Sequence, residues 1–143
     1  MAYQVAVFME NKPGRLEKMT EVLEEAAISI RAITLSTTAQ GWGILNLLVD
    51  QPERAVELLR QSQHSAALRR IVVVEVEDQP GGLRKVLSLL AAGGLNVENA
   101  YGSVLDKGRR AVLVIDVEKI EQAATLLTGA GVKLVEEREI YAL

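Results

Sequence analysis

Asn11-Lys12-Pro13-Gly14-Arg15-Leu16 and, 67 positions later, Asp78-Gln79-Pro80-Gly81-Gly82-Leu83 are two versions of one phrase. Each follows a β-rich apolar stretch, Val5 to Met9 and then Ile71 to Val76, and each opens a helical pattern. The match continues downstream. Leu23 falls on Leu90, Ala27 on Gly94, Ile28 on Leu95, Ile30 on Val97, Gly41 on Gly108 and Leu47 on Val114. After one inserted residue, Ala55, Leu58 and Leu59 fall on Ala123, Leu126 and Leu127. A repeat this long and dilute denotes two copies of one small fold, not a short solenoid motif. The expected domains are residues 1–69 and 70–143.

Composition limits what such a chain can do. Units of about 70 residues bury little apolar surface and are marginal alone, so the copies are expected to pack on each other and the whole to form a homodimer. Of the 143 residues 49% are hydrophobic, but the aromatic ones are only Tyr3, Phe8, Trp42, Tyr101 and Tyr141. The core must therefore be Val, Leu, Ile and Ala. A net charge of −3 and a pI near 5.3 argue against nucleic acid or an anionic membrane as partner. With no cysteine, thiol catalysis, disulfides and Cys-ligated metals drop out. The start of the chain has no basic-then-apolar signal pattern, and no apolar run approaches the ~20 residues of a spanning helix. The plain expectation is a soluble cytoplasmic protein without a cofactor.

Along the chain, a strand over about 3–9 precedes a helix over about 13–26, with Leu16, Met19, Val22, Leu23 and Ala26 on one face. Pro13 suits the first turn of that helix, where its missing N–H is no loss. Ile28 to Leu35 is a β-branched strand, Thr38 to Gly43 a hairpin tip and Ile44 to Val49 the next strand. Asp50-Gln51-Pro52-Glu53 reads as a capping box opening a helix to about Ser62. The run Ala67 to Glu77 supplies the last strand of copy one and the first of copy two, with no linker between them. Copy two repeats the order: a helix with Leu83, Val86, Leu87, Leu90 and Ala91 on one face, a strand over Leu95 to Val104, a tip at Asp106-Lys107-Gly108, and a strand over Arg110 to Val117. A helix over Lys119 to Thr128 and a strand over Val132 to Tyr141 complete it. Each copy is thus β-α-β-β-α-β, an α+β, ferredoxin-like arrangement.

One Pro-Gly after a strand is usually only a turn. Two at equivalent positions, each in a strand–[Asn/Asp]-x-Pro-Gly-x-Leu–helix context, carry more. Gly14 and Gly81 remove the side chain where the chain turns. The free N–H groups of the helix's first turn favour a carboxylate, and Asn11 and Asp78 place an acceptor suited to an ammonium beside them. Together these describe a site for a free amino acid.

Glu10 to Leu16 with Ile28-Ser29-Ile30, and Asp78 to Leu83 with Leu95-Asn96-Val97, resemble the ACT domain, a ligand-binding regulatory module of amino-acid-metabolism enzymes. The resemblance covers nearly the whole chain as two copies without a catalytic domain, like the stand-alone tandem members of that family. It implies two ferredoxin-like domains with sheets side by side and helices on one face. It also implies that an effector binds between the first loop of one domain and the strand after the first helix of its partner. The implied ligand-binding residues are Asn11, Pro13, Gly14, Arg15, Leu16, Ser29 and Ile30 from copy one, and Asp78, Pro80, Gly81, Gly82, Leu83, Asn96 and Val97 from copy two. Asn11 and Asn96 match the two asparagines that hold the effector in serine-binding members. The other pairing, Asp78 with Ser29, departs from that pattern.

Other residues offer less. His64 is the only histidine, and with no second imidazole and no thiol it reads as a surface residue. Trp42 between two glycines reads as a hairpin-tip aromatic packing locally, and the pairs Arg69-Arg70 and Arg109-Arg110 as solvated or ion-paired. Glu136, Glu137 and Glu139 read as the solvent face of the last strand; no acid–base partner accompanies them. Asn46, amid aliphatics, reads as a buried hydrogen-bonder. The function these features imply is non-enzymatic: a regulatory protein that senses a free amino acid and signals to a metabolic enzyme or to another copy of itself. The alternative is a ligand-free regulatory or structural subunit docking on such an enzyme. An RNA-recognition fold would stack bases on sheet aromatics, and here those positions are mostly aliphatic or small.

Overall fold

The computed structural model describes residues 2–143. The chain divides into two compact units, one of Tyr3–Arg69 with Tyr141–Leu143, the other of Arg70–Ile140 with Ala2. The first unit contains β1 (Ala2–Glu10), α1 (Arg15–Glu25), β2 (Ile30–Thr37), β3 (Trp42–Val49) and α2 (Pro52–Gln61). Strand β4 (Ser65–Glu77) is continuous, its first five residues closing the first unit and the rest opening the second. The second unit continues with α3 (Gly82–Ala92), β5 (Val97–Asp106), β6 (Arg110–Val117), α4 (Ile120–Gly129) and a short α5 (Glu137–Tyr141). The expected α+β order is therefore present in both units as far as the second helix.

In each unit the strand that precedes the second helix lies centrally, paired antiparallel on one side with the strand before the first helix and on the other with the strand after it. In the first, β3 lies between β1 and β2, with Val5 opposite Leu47 and Ile33 opposite Leu47 from the other side. In the second, β6 lies between β4 and β5, with Val72 opposite Ile115 and Ala100 opposite Ile115. Alternate residues of these strands bury one face under the helices. The two cores match position for position: Val5 with Val72, Val7 with Val74, Leu23 with Leu90, Leu45 with Leu113, Leu59 with Leu127.

That register relocates the inserted residue. Leu47 corresponds to Ile115, not Val114, and Gly41 to Arg109, not Gly108, because Asn11 N donates to Gly41 O while Asp78 N donates to Arg109 O. The extra residue is a bulge at Leu105, where the β5–β6 register slips between Val104 and Asp106.

Three further expectations are corrected. Residues 132–141 do not form a strand. They contribute a single bridge, Leu134 to Val74, and then turn into α5. Ile140 N donates to Glu136 O, and this turn buries Ile140 while keeping Glu136 and Glu139 in water. Asp50 does not cap α2, which starts from Gln51 with Pro52 in its first turn. Asp50 Oδ1 instead accepts from Ser29 N at 3.0 Å, tying the entry of β2 to the exit of β3. On α3, Val86 and Leu90 are buried, but Leu83, Leu87 and Ala91 face outward. Two other local readings hold. Asn46 is buried and accepts from Gln4 Nε2 at 3.3 Å, and Trp42 stacks on Phe8 with ring centroids 4.9 Å apart.

The first helices of the two units end alike. Ile28 N donates to Leu23 O and Ala27 N to Glu24 O, as Leu95 N does to Leu90 O and Gly94 N to Ala91 O. This closure needs a left-handed residue, supplied by Gly94 at φ 68 but by Ala27 at φ 56. A left-handed alanine costs about 1–2 kcal/mol. Ala27→Gly is therefore expected to stabilise the first unit by about 1 kcal/mol once the freer unfolded glycine is counted, read as a higher urea midpoint. A lower midpoint would show that Ala27 is not strained.

Candidate functional site

The two Pro-Gly loops are the same structure built from different residues. Gly14 (φ 83, ψ −10) and Gly81 (φ 92, ψ −11) are left-handed residues immediately before α1 and α3. A Cβ added at either would meet nothing within 4 Å, so backbone conformation, not crowding, calls for glycine there. Pro13 lies ahead of this cap and not in the helix, contrary to expectation; Pro80 is placed likewise. Neither helix has a side-chain cap. Arg15 N and Gly82 N are satisfied within the turn by Lys12 O and Gln79 O. The N–H groups of Leu16 and Glu17, and of Leu83 and Arg84, have no protein acceptor among the described residues. Such a pair of donors at the positive end of a helix suits an anionic group.

The polar residues at the loop mouths differ in what already holds them. Asn11 is exposed, and its side-chain amide makes no hydrogen bond among the described residues. Asp78 is half-buried, and its Oδ2 accepts from Gly108 N at 2.6 Å, latching the loop to the β5–β6 hairpin. Arg15 lies 3.5 Å from Glu10, which Lys12 also reaches at 3.0 Å. The Lys12 ammonium first, and Arg15 behind it, hold the half-buried Glu10 carboxyl below its ordinary range.

The other expected site residues sit at strand entries. Ser29 and Asn96 are exposed just before β2 and β5; Ile30 is exposed and Val97 half-buried. Because β1 pairs with β3 and β3 with β2, both antiparallel, β1 and β2 run the same way. The exit of β1 (Asn11) and the entry of β2 (Ser29) therefore lie at opposite ends of those three strands, and by the same logic so do Asp78 and Asn96 in the second unit. Neither unit brings its own loop and its own strand entry together.

A cavity of about 310 Å³ adjoins the second loop, lined by Gly82, Lys85, Val86, Arg109, Arg110 and Lys133 among others. Of its lining, only Gly82 is singled out by the sequence motif. A basic doublet after a hairpin tip is the one further signal in the chain. No helix among the described residues is long and apolar enough to cross a membrane.

Comparison with known proteins places the fold. No curated protein matches the chain significantly. A Bacteroides thetaiotaomicron protein of known structure is similar at 30% identity and a TM-score of 0.91, over 99% of this chain and 96% of that one. The ligand-free regulatory subunit of aspartate kinase from Thermus thermophilus is similar in fold, at 21% identity and a TM-score of 0.65, over 90% and 91% of the two chains. The corresponding subunit from Thermus flavus gives 20% and 0.60. Residues 1–143 match the ACT domain pair as a whole. With the doubled βαββα order, paired glycine-capped loops and matched cores, this chain belongs to the ACT domain pair family.

Proposed function

We propose that this protein is a non-catalytic regulatory protein that binds a free amino acid at its Pro-Gly loops and relays the bound state to a metabolic enzyme. The observation that carries the reading is the Asn11 loop. It offers two unaccepted helix N–H groups for a carboxylate beside an uncommitted side-chain amide for an ammonium. Asn96, exposed and likewise uncommitted, is the proposed second amide for the same ligand. Asp78 is the weaker counterpart, because its carboxylate is engaged by Gly108 and its charge opposes a ligand carboxylate. Membership of a family of regulatory modules and the resemblance in fold to enzyme regulatory subunits support the same reading.

The test is a thermal-shift screen of the common amino acids. A ligand at a hundredfold excess over Kd stabilises by about 2.7 kcal/mol, a rise of several degrees for a protein of this size. At least one amino acid is expected to produce it. Asn11→Ala and Asn96→Ala should each weaken that ligand about ten- to a hundredfold, with the double variant short of the sum. Ser29→Ala should leave the tighter site nearly unchanged. A flat response to every amino acid at millimolar concentration, with a metabolic enzyme co-purifying, would replace this reading by that of a ligand-free docking subunit.

A further inference from the structure

At several of the places that line the cavity beside the second loop, the two copies differ. Where the first unit has the stacked Phe8 and Trp42, the second has Glu75 and Arg110; where it has Gly41 and Arg15, the second has Arg109 and Gly82. The exchange replaces an aromatic surface by a cationic one. It also removes a side chain at Gly82, where a Cβ would run into the Glu77 carbonyl.

The charges around the cavity do not balance. Glu75 is shared by Lys133 Nζ at 2.9 Å and Arg110 Nη1 at 3.8 Å, and Arg110 Nε also donates to Asp106 Oδ2 at 2.8 Å. These two cations are thus engaged, and Arg110 works against the charge that Glu75 stabilises on Lys133. Lys85 and Arg109 line the same cavity, and neither side chain enters an ion pair or hydrogen bond among the described residues. Glu77 is the one remaining carboxylate in the lining, and it is exposed. Like charges gathered on a concave wall repel one another unless an anion joins them. Between them Val76, Val86 and Val132 give the cavity an apolar wall. Its volume, about 310 Å³, is at the lower end for small-molecule sites.

We propose that this cavity binds a small organic dianion, a dicarboxylate or a phosphate monoester, with its charged ends on Lys85 and Arg109 and its carbon skeleton against the three valines. A guanidinium fork suits either headgroup. The site lies within the second unit and does not depend on amino-acid binding at the Asn11 loop. Because Lys85 and Arg109 are exposed, the attraction is moderate and falls with salt.

Titration of the ¹⁵N-labelled protein at low ionic strength tests it, with succinate and glycerol 3-phosphate as probes and acetate as the monoanion control. Succinate or glycerol phosphate should give saturable shifts at the Gly82, Gly131 and Val132 amides, and whichever saturates at the lower concentration identifies the headgroup. Arg109→Glu should weaken that binding at least about tenfold, and Lys85→Gln about three- to tenfold. Lys107→Glu makes the same charge change on the same hairpin outside the lining and should weaken it less than about threefold. Asn11→Ala should leave it unchanged, which separates failure of this site from failure of the amino-acid site. Dispersed spectra report that each variant is folded. The proposal is overturned if neither dianion saturates by about 20 mM, if acetate binds as well, or if Lys107→Glu matches Arg109→Glu.

Discussion

Leu90→Ala is expected to lower the stability of the second unit by about 2–5 kcal/mol, and Leu23→Ala to do the same in the first. The two leucines occupy equivalent places on α3 and α1 and are 1% and 0% exposed. Truncation removes the transfer free energy of the lost carbons and leaves a cavity that neighbours fixed by the sheet cannot close. For units of this size the loss is a large share of the total, since whole domains are stable by only about 5–15 kcal/mol and small ones fall at the low end. Leu83 and Leu87, on the same helix as Leu90 but 47% and 36% exposed, are the controls. Their alanine variants should lose about 1 kcal/mol or less. Native-state hydrogen exchange under mild urea is the measurement. Because each core cluster draws on one unit alone, Leu90→Ala should raise exchange first in Arg70–Ile140 and Leu23→Ala in Tyr3–Arg69. Equal losses at Leu83 and Leu90 would sink the idea that burial sets these magnitudes.

The same helix marks where sequence periodicity stops being informative. On α1 the apolar residues Leu16, Met19, Val22, Leu23 and Ala26 fall at spacings of three and four, and all are buried or half-buried. On α3 the apolar residues are so many that the spacing admits more than one face. The reading that put Leu83, Leu87 and Ala91 inside with Val86 and Leu90 chose too wide a stripe. At the chain's end, Val132 to Tyr141 suggested a strand because Val132, Leu134 and Val135 lead it. The acidic run behind them cannot alternate against a core, and a helical turn through Glu136 and Ile140 buries the isoleucine instead. Asp50 failed as a cap for a related reason: an acceptor goes to the nearest unsatisfied donor, and here that is Ser29 N across the sheet.

The loops were legible because they depend on local chemistry. A left-handed turn into a helix calls for glycine, and Gly14 and Gly81 occupy it. What surrounds the second loop was not legible, because it depends on register. The bulge at Leu105 shifts β6 by one residue relative to β3, so Arg109 lies where Gly41 would be expected to have a glycine counterpart, and Gly108 N is presented to Asp78. No residue type in the hairpin announces that slip. It follows from pairing that only the folded sheet displays.

Gly82→Ala is the other large effect, expected at about 3 kcal/mol. Gly81 and Gly82 are adjacent, yet they are glycines for different reasons. Gly81 has φ 92 with open space around it, so alanine there meets backbone strain of about 1–2 kcal/mol and no clash. Gly82 opens α3, and its Cβ would overlap the Glu77 carbonyl, a backbone atom that cannot swing aside like a side chain. Either the end of β4 or the start of α3 must shift, and both are fixed by packing of Val74, Val86 and Leu90 in the core. The first copy carries Arg15 at this place, so the close approach belongs to copy two alone. Gly81→Ala and Gly14→Ala should therefore cost similar amounts, and Gly82→Ala clearly more than either, by urea unfolding read through exchange in each unit. A Gly82→Ala loss no greater than that of Gly81→Ala would show that the second loop relaxes as easily as the first, and that its closeness to Glu77 does not constrain the fold.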